Sequence, residues 1–384
     1  MKRLLTSSAA LLWGLQFAFL NPALALLLVT LYGATAADVG WVLSVYNASG
    51  FVASLVLPAW ADRRGDYLRP LLACGVLSLA LAGLLSITTS LPIVVLGLIV
   101  LGGPAGVGAS LVFAQLKHSG ASPNEVVNTR ALVSVAWVAG PPLATAIMGL
   151  FGIGAILLAI AAVAALNIAV SAGMLAERSR ARTRAVANRG PDPDDGSRAM
   201  SRVAVGVVVV AFVALQATNA TVVSILSLYV SQGLGLELFW AGIALGVAAG
   251  LEIGALLLIG RLMQRFSGLL LLATGCVTGI AYYIGMAFVS GPAMLIGLQV
   301  LNAWFFASVA GVGLTLFQRI IPRPGLASGL FVNTRRLGAI ASGPIIALGS
   351  MTAMGYAGIF LACAGLTLLA LALIGAVGMT TRRS

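Results

Sequence analysis

The chain has 384 residues, of which 60% are hydrophobic and only 8% charged, with a mean hydropathy of +1.07. Globular domains carry about a quarter of their residues charged, so a water-soluble fold is excluded and lipid is indicated as the solvent. A net charge of +12 would suggest nucleic acid in a soluble protein, but the cations here have another place.

Apolar stretches of roughly 20 residues, each long enough to cross a hydrocarbon core, fall near 9–31, 40–61, 69–88, 92–116, 130–151, 154–175, 203–230, 239–261, 268–289, 293–317, 329–350 and 356–378. Lys2-Arg3 before the first of them mimics a signal peptide, yet the run continues past Asn21-Pro22 to Leu31, as a spanning helix would. The odd-numbered gaps (Tyr32–Val39, Thr89–Leu91, Gly152–Ile153, Ser231–Leu238, Ser290–Pro292, Met351–Gly355) contain no Lys or Arg. All 22 lie in the even-numbered gaps, the termini and the helix ends beside them. Positive residues stay on the cytoplasmic side, so the pattern predicts a polytopic inner-membrane protein with both termini cytoplasmic. The cations then face anionic lipid headgroups, and no nucleic-acid partner is expected.

Glu177 to Arg202 is charged and rich in turn formers, including Gly190-Pro191-Asp192-Pro193-Asp194-Asp195-Gly196. It reads as a cytoplasmic linker between a six-helix bundle over 1–176 and another over 203–384. The halves also match in short strings taken in order. Leu15-Gln16 matches Leu215-Gln216, and Gly97-Leu98 and Val100-Leu101 match Gly297-Leu298 and Val300-Leu301, all at an offset of 200. Ala105-Gly106-Val107-Gly108 matches Ala310-Gly311-Val312-Gly313 and Asn128-Thr129-Arg130 matches Asn333-Thr334-Arg335, both at 205. Gly140-Pro141 matches Gly343-Pro344 at 203. Six is even, so both copies enter the membrane in the same orientation, the parallel-repeat plan of major facilitator transporters. The expected fold is an all-α membrane protein of twelve transmembrane helices in two pseudo-symmetric bundles.

The gap after the second segment reads Ala61-Asp62-Arg63-Arg64-Gly65-Asp66-Tyr67-Leu68-Arg69. Asp62, Arg63 and Gly65 resemble the cytoplasmic loop motif of the major facilitator superfamily, although Asp66 stands where that motif has a base. In the second half Gln264 stands opposite Asp62. The fifth segment holds Ala136-Trp137-Val138-Ala139-Gly140-Pro141-Pro142, which resembles the Gly-Pro motif of proton-driven exporters. There Gly140 allows close helix approach, and Pro141 and Pro142 remove backbone donors. A structural kink explains the same residues.

Over nearly its whole length the chain resembles the sugar efflux transporter (Set) family. The resemblance is carried by Gly65-Asp66, by Arg130 through Pro142, by Ala248-Ala249-Gly250-Leu251-Glu252-Ile253, by Leu298-Gln299-Val300-Leu301-Asn302-Ala303, and by Val309 to Gly313 leading to Phe317-Gln318. It implies export of small sugars or glycosides. It also implies a cytoplasmic gate drawing on Asp62, Arg63, Gly65, Arg130, Arg335 and Arg336, and a cavity lined by helices 1, 4, 7 and 10.

Glu252 is the only acid deep within any segment, about ten residues from either end. Intramembrane acids face cavities and often carry protons; Glu252 is read here as a proton carrier, a sugar ligand or both, beside a packing alternative. At similar depth lie Gln16, Asn21, Tyr46, Asn47 and Trp137, and in the second half Gln216, Asn219, Gln299, Asn302 and Trp304. Amides and flat apolar faces with almost no charge suit a neutral polar substrate, since a buried amide is left unpaired by a ligand lacking the hydroxyl. Tyr282 and Tyr283 rank last, because their helix is peripheral in that fold.

No GxxxxGK[ST] occurs, the three cysteines lack metal-ligand spacing, and no catalytic set stands out, so neither cofactor, metal nor enzyme is expected. The reading is a proton-coupled sugar exporter, expected to be a monomer, whose partners are sugar, protons and membrane lipids. The alternative is a multidrug/proton antiporter of the same fold.

Overall fold

A computed structural model of the chain describes residues 2–119, 123–181, 202–320 and 324–383. Among these residues the fold is all-helical, with twelve long helices. In order they are α1 (Lys2–Tyr32), α2 (Ala36–Arg64), α3 (Leu68–Ile87), α4 (91–118), α5 (Pro123–Phe151) and α6 (Ala155–Ala181). Then come α7 (Arg202–Leu228), α8 (Phe239–Leu262), α9 (Gly268–Ala287), α10 (Pro292–Ile320), α11 (Pro324–Ser350) and α12 (Tyr356–Arg383). Eleven are long and apolar enough to cross a membrane. The exception is α11, whose first half carries Asn333, Thr334, Arg335 and Arg336. Residues 182–201 of the expected linker lie outside the described residues.

Local chemistry explains the helix ends. At the start of α2, Thr35 and Asp38 satisfy each other's backbone donors: the Thr35 amide and hydroxyl donate to Asp38 Oδ2 (2.9 and 2.7 Å), and the Asp38 amide donates to Thr35 Oγ1 (3.1 Å). This is a capping box with Asp as the acid. Trp41 and Trp60 of α2 are 52% and 39% exposed. Nineteen residues apart, they are separated by about 28 Å at about 1.5 Å per residue, close to the hydrocarbon thickness of about 30 Å that aromatic belts bracket.

The chain divides into two compact units, Met1–Ala34 with Val45–Gly190, and Thr35–Ser44 with Pro191–Ser384. Inside the first, α1 packs on α4, α5 and α6, while α3 and α5 each pack on α4 and α6. Inside the second, α7 packs on α10, α11 and α12, while α9 and α11 each pack on α10 and α12. For these pairs, adding six to each helix number turns one set into the other. One matched pair of strings, ending in Gly108 and Gly313, sits at these contacts. A Cβ on Gly108 would run into the Trp13 ring, and one on Gly313 would lie 2.5 Å from the rings of Phe212 and Phe331. Tyr32 donates its hydroxyl to the Leu85 carbonyl (2.5 Å) and Tyr229 donates to that of Met286 (2.6 Å). A first-to-third helix tie is therefore repeated in each unit. Buried hydrogen bonds of this kind contribute about 1 kcal/mol each.

The first turns of α2 belong to the second unit. There Ser44 donates to the Ile340 carbonyl of α11 (2.8 Å), and a Cβ on Gly40 would lie 2.7 Å from the Ala347 amide nitrogen.

Some counterparts differ: α7 runs on into a π-helical turn at Tyr229–Gly233 that α1 lacks. α10 is a continuous helix, whereas α4 is made of Leu91–Gly97, a π-helical turn at Leu98–Gly102, Gly103–Ala105, and Gly108–His118 after a turn at Gly106-Val107.

Candidate functional site

Gln16 and Gln216 occupy equivalent places in α1 and α7. Each is 5% exposed, and each has a buried carbonyl Oε1 without a hydrogen-bond partner. Glycines bring neighbouring helices against them. A Cβ on Gly14 would lie 2.7 Å from Ala136 Cβ of α5, and one on Gly338 of α11 would lie 2.7 Å from Gln216 Cβ and from the Ala217 amide nitrogen. Gly140 is a contact glycine of the same seam, its missing Cβ leaving room for Ala18. Pro141 and Pro142 sit inside the unbroken α5, where Thr145 donates its hydroxyl to both of their carbonyls (3.0 and 3.1 Å).

In the second unit, Gln299 is fully buried. Its amide donates to the Leu295 carbonyl (2.9 Å), and its Oε1 accepts from Asn302 Nδ2 (3.1 Å). Asn302 is the more exposed end of this pair, at 9%. Trp304 turns the other way, donating its indole N–H to Thr274 of α9 (3.3 Å). Asn219 is half-buried on α7. Glu252 is half-buried on α8, and the positive charge of Arg335 on α11 acts on it. Gly338, which abuts Gln216, follows Arg335 by three residues, so both lie on one face of α11. Arg336 is half-buried.

Tyr282 and Tyr283 are fully buried in the second unit, with ring centroids 5.1 Å apart, and Tyr283 meets Phe305 edge-on at 5.9 Å. In the first unit, Tyr46 is buried with its ring where a Cβ on Gly102 would lie 3.0 Å away. Asn21, Asn47 and Trp137 are half-buried. Trp13, absent from the sequence expectation, is 1% exposed with an unpartnered indole N–H, one turn before Gln16. At the repeat offset of 200 its counterpart is Val213, so the repeat carried no signal for it.

The loop after α2 is held by its second acid. Asp66 Oδ1 accepts from Arg178 of α6 (2.9 Å) and from the Leu68 amide (3.2 Å), and Oδ2 lies 3.4 Å from Arg69 Nε. Arg178 also donates to the Gly65 carbonyl (2.7 Å). Gly65 makes the turn at φ +58°, a left-handed conformation that glycine adopts without strain. Asp62 accepts from the Tyr67 hydroxyl, the Tyr67 ring lies 5.2 Å from His118, and Arg64 sits 4.3 Å over the Trp60 ring. Arg63 is exposed, as is Arg335. The side chain of Arg130 lies outside the described residues. The acid standing where the loop motif has a base is thus matched by an arginine on α6. Among the described residues no cluster of three or more metal-ligating side chains occurs.

Helices of membrane length, two units with one packing plan, and polar side chains buried at equivalent depths define a polytopic carrier. Residues 6–342 match the family model described as Major Facilitator Superfamily. Sugar efflux transporter A of Dickeya chrysanthemi is 32% identical over 372 residues, covering 94% of this chain and 93% of the relative. Sugar efflux transporter A of Escherichia coli (strain K12) is 29% identical over 345 residues, 88% and 86% of the two chains. The crystal structure of the nucleoside transporter NupG superposes with a TM-score of 0.78 over 98% of both chains at 14% identity, which is a likeness of fold. The chain belongs to the sugar efflux transporter family of the major facilitator superfamily. It is a transporter and not an enzyme.

Proposed function

We propose that this protein exports small sugars or glycosides in exchange for protons, by alternating access, across a cell inner membrane with both termini in the cytoplasm. Relatives covering most of the chain are named as sugar efflux transporters. The observation that carries the substrate class is the pair of unpartnered carbonyl oxygens on Gln16 and Gln216. An orphan buried acceptor costs about 1–3 kcal/mol, and a ligand hydroxyl offered to either one removes that cost. A substrate without hydroxyls leaves both unpaired. Asn21, Asn219 and Asn302 supply further amides, and Tyr46 and Trp137 supply flat faces. Glu252, an acid within a span, is the proton carrier. The working unit is a monomer of two bundles, 1–176 and 203–384, joined by 177–202.

Counterflow in proteoliposomes tests the class. Unlabelled lactose or methyl glucoside inside should drive uptake of the same radiolabelled sugar. Counterflow of a cationic dye with none of any sugar would transfer the protein to the multidrug reading.

A further inference from the structure

The break in α4 is not demanded by the packing plan, since the second unit builds the same plan with an unbroken α10. The strings that match between the copies end at Leu101 and resume at Ala105 in the first, and end at Leu301 and resume at Ala310 in the second. Gly102-Gly103-Pro104 therefore stands where the second copy has Asn302–Val309, all helical.

Proline explains why the helix cannot be regular. Pro104 has no amide hydrogen. In an α-helical register the Ile99 carbonyl would take the Gly103 N–H, but that N–H donates to Leu98 instead. In the π-helical register adopted by Leu98–Gly102 the Ile99 carbonyl would take the N–H of residue 104, which does not exist. Neither register serves Ile99, and within a membrane no water is at hand. Ser49 of α2 serves it: its hydroxyl donates to the Ile99 carbonyl at 2.5 Å.

The neighbours are shaped for this contact. A Cβ on Gly103 would run into Ser49 Oγ and lie 2.8 Å from the Gly50 amide nitrogen. Past the proline the backbone tightens. The Gly106 N–H is shared between the carbonyls of Gly102 (3.0 Å) and Gly103 (3.1 Å), and the Val107 N–H reaches Pro104 (3.1 Å). The Cys74 thiol of α3 also points at the Pro104 carbonyl (3.4 Å). An underwound turn followed by an overwound one, near the middle of a 28-residue helix, is a place where the axis bends at small cost.

We propose that α4 is a hinged helix whose Gly108–His118 segment swings about Gly102–Val107 during transport, and that Ser49 is the positioning residue that holds the form described here. The reading rests on the chain's being a carrier and not on the identity of its sugar. A distance measured without substrate keeps the two apart.

Spin labels at Ser119→Cys and Ala176→Cys, both exposed and both in the first unit, report the swing in liposomes. Two distance populations are expected in the parent. Ser49→Ala should shift their ratio about ten-fold away from the form described here, the size set by one buried carbonyl losing its partner. Ser49→Thr, which keeps a hydroxyl, should leave the ratio near the parent value. Pro104→Ala, which restores the missing N–H, should leave a single population. A single distance in the parent that neither Ser49→Ala nor Pro104→Ala alters would overturn the hinge.

Discussion

The two units share a skeleton and differ in their chemistry. The shared parts are contacts between helices: Gly108 under Trp13 and Gly313 under Phe212, Tyr32 tied to Leu85 and Tyr229 tied to Met286. The differing parts are charges and breaks. The first unit has Asp62 and Asp66 in its loop and a broken α4, whereas the second has Gln264 opposite Asp62, an unbroken α10 and the intramembrane Glu252. Packing is constrained at every turn of a close-packed helix pair, so a doubled unit keeps its glycines and aromatics. The proposed proton exchange needs only one site, so one copy is enough to carry it.

The largest expected effect follows from that division. Glu252→Gln keeps shape and most hydrogen bonds but removes the titratable group, so sugar accumulation driven by a pH gradient should disappear while sugar exchange persists. Normal gradient-driven accumulation in the variant would remove the chemical distinction between the units.

The skeleton is tested by its glycines. Gly108→Ala and Gly313→Ala drive a methyl group into an aromatic ring in each unit, and each should cost about 1–3 kcal/mol by overpacking, seen as a lower melting temperature in detergent. Gly83→Ala in α3, where a Cβ meets nothing within 4 Å, should be neutral or stabilising by up to about 1 kcal/mol. A large loss at Gly108 with none at Gly313 would mean that the two contacts are not equivalent.

Smaller effects separate the loop acids and the tyrosine ties. Asp66→Asn removes the partner of Arg178, which is 26% exposed at its side chain, so a loss of only about 1 kcal/mol is expected after solvent screening. The exchange Asp66→Arg with Arg178→Asp should recover part of it. Tyr32→Phe and Tyr229→Phe should each cost about 1 kcal/mol, and nearly the same amount. Unequal losses would show that one of the ties is dispensable.

Much of this was legible in the sequence because a membrane simplifies the problem. Spans of roughly 20 apolar residues had to be helices, and the matched strings ending in Gly108 and Gly313 fell on contacts with aromatic rings in both units. Gln16 and Gln216 were visible as a repeated pair, although not their lack of partners, which depends on what surrounds each amide. The break in α4 was hidden: Gly102, Gly106 and Gly108 read equally well as a small-residue packing face, and only the backbone register reveals what Pro104 does to Ile99. The partner of Asp66 was hidden as well, since Arg178 lies 112 residues away and within a run of arginines. Trp304 resembled a sugar platform by depth alone, and its tie to Thr274 depends on the rotation of α10.

The central claim is that sugar leaves in exchange for protons carried by Glu252. It is tested most directly by proton uptake into weakly buffered proteoliposomes holding a sugar that passes the counterflow test, followed with a luminal pH dye. The account predicts that an outward sugar gradient acidifies the lumen in step with sugar efflux, with protons entering as sugar leaves, and that Glu252→Gln abolishes the pH change while label exchange continues. Sugar efflux with no pH change in the parent protein, or an unchanged pH signal in Glu252→Gln, would contradict it.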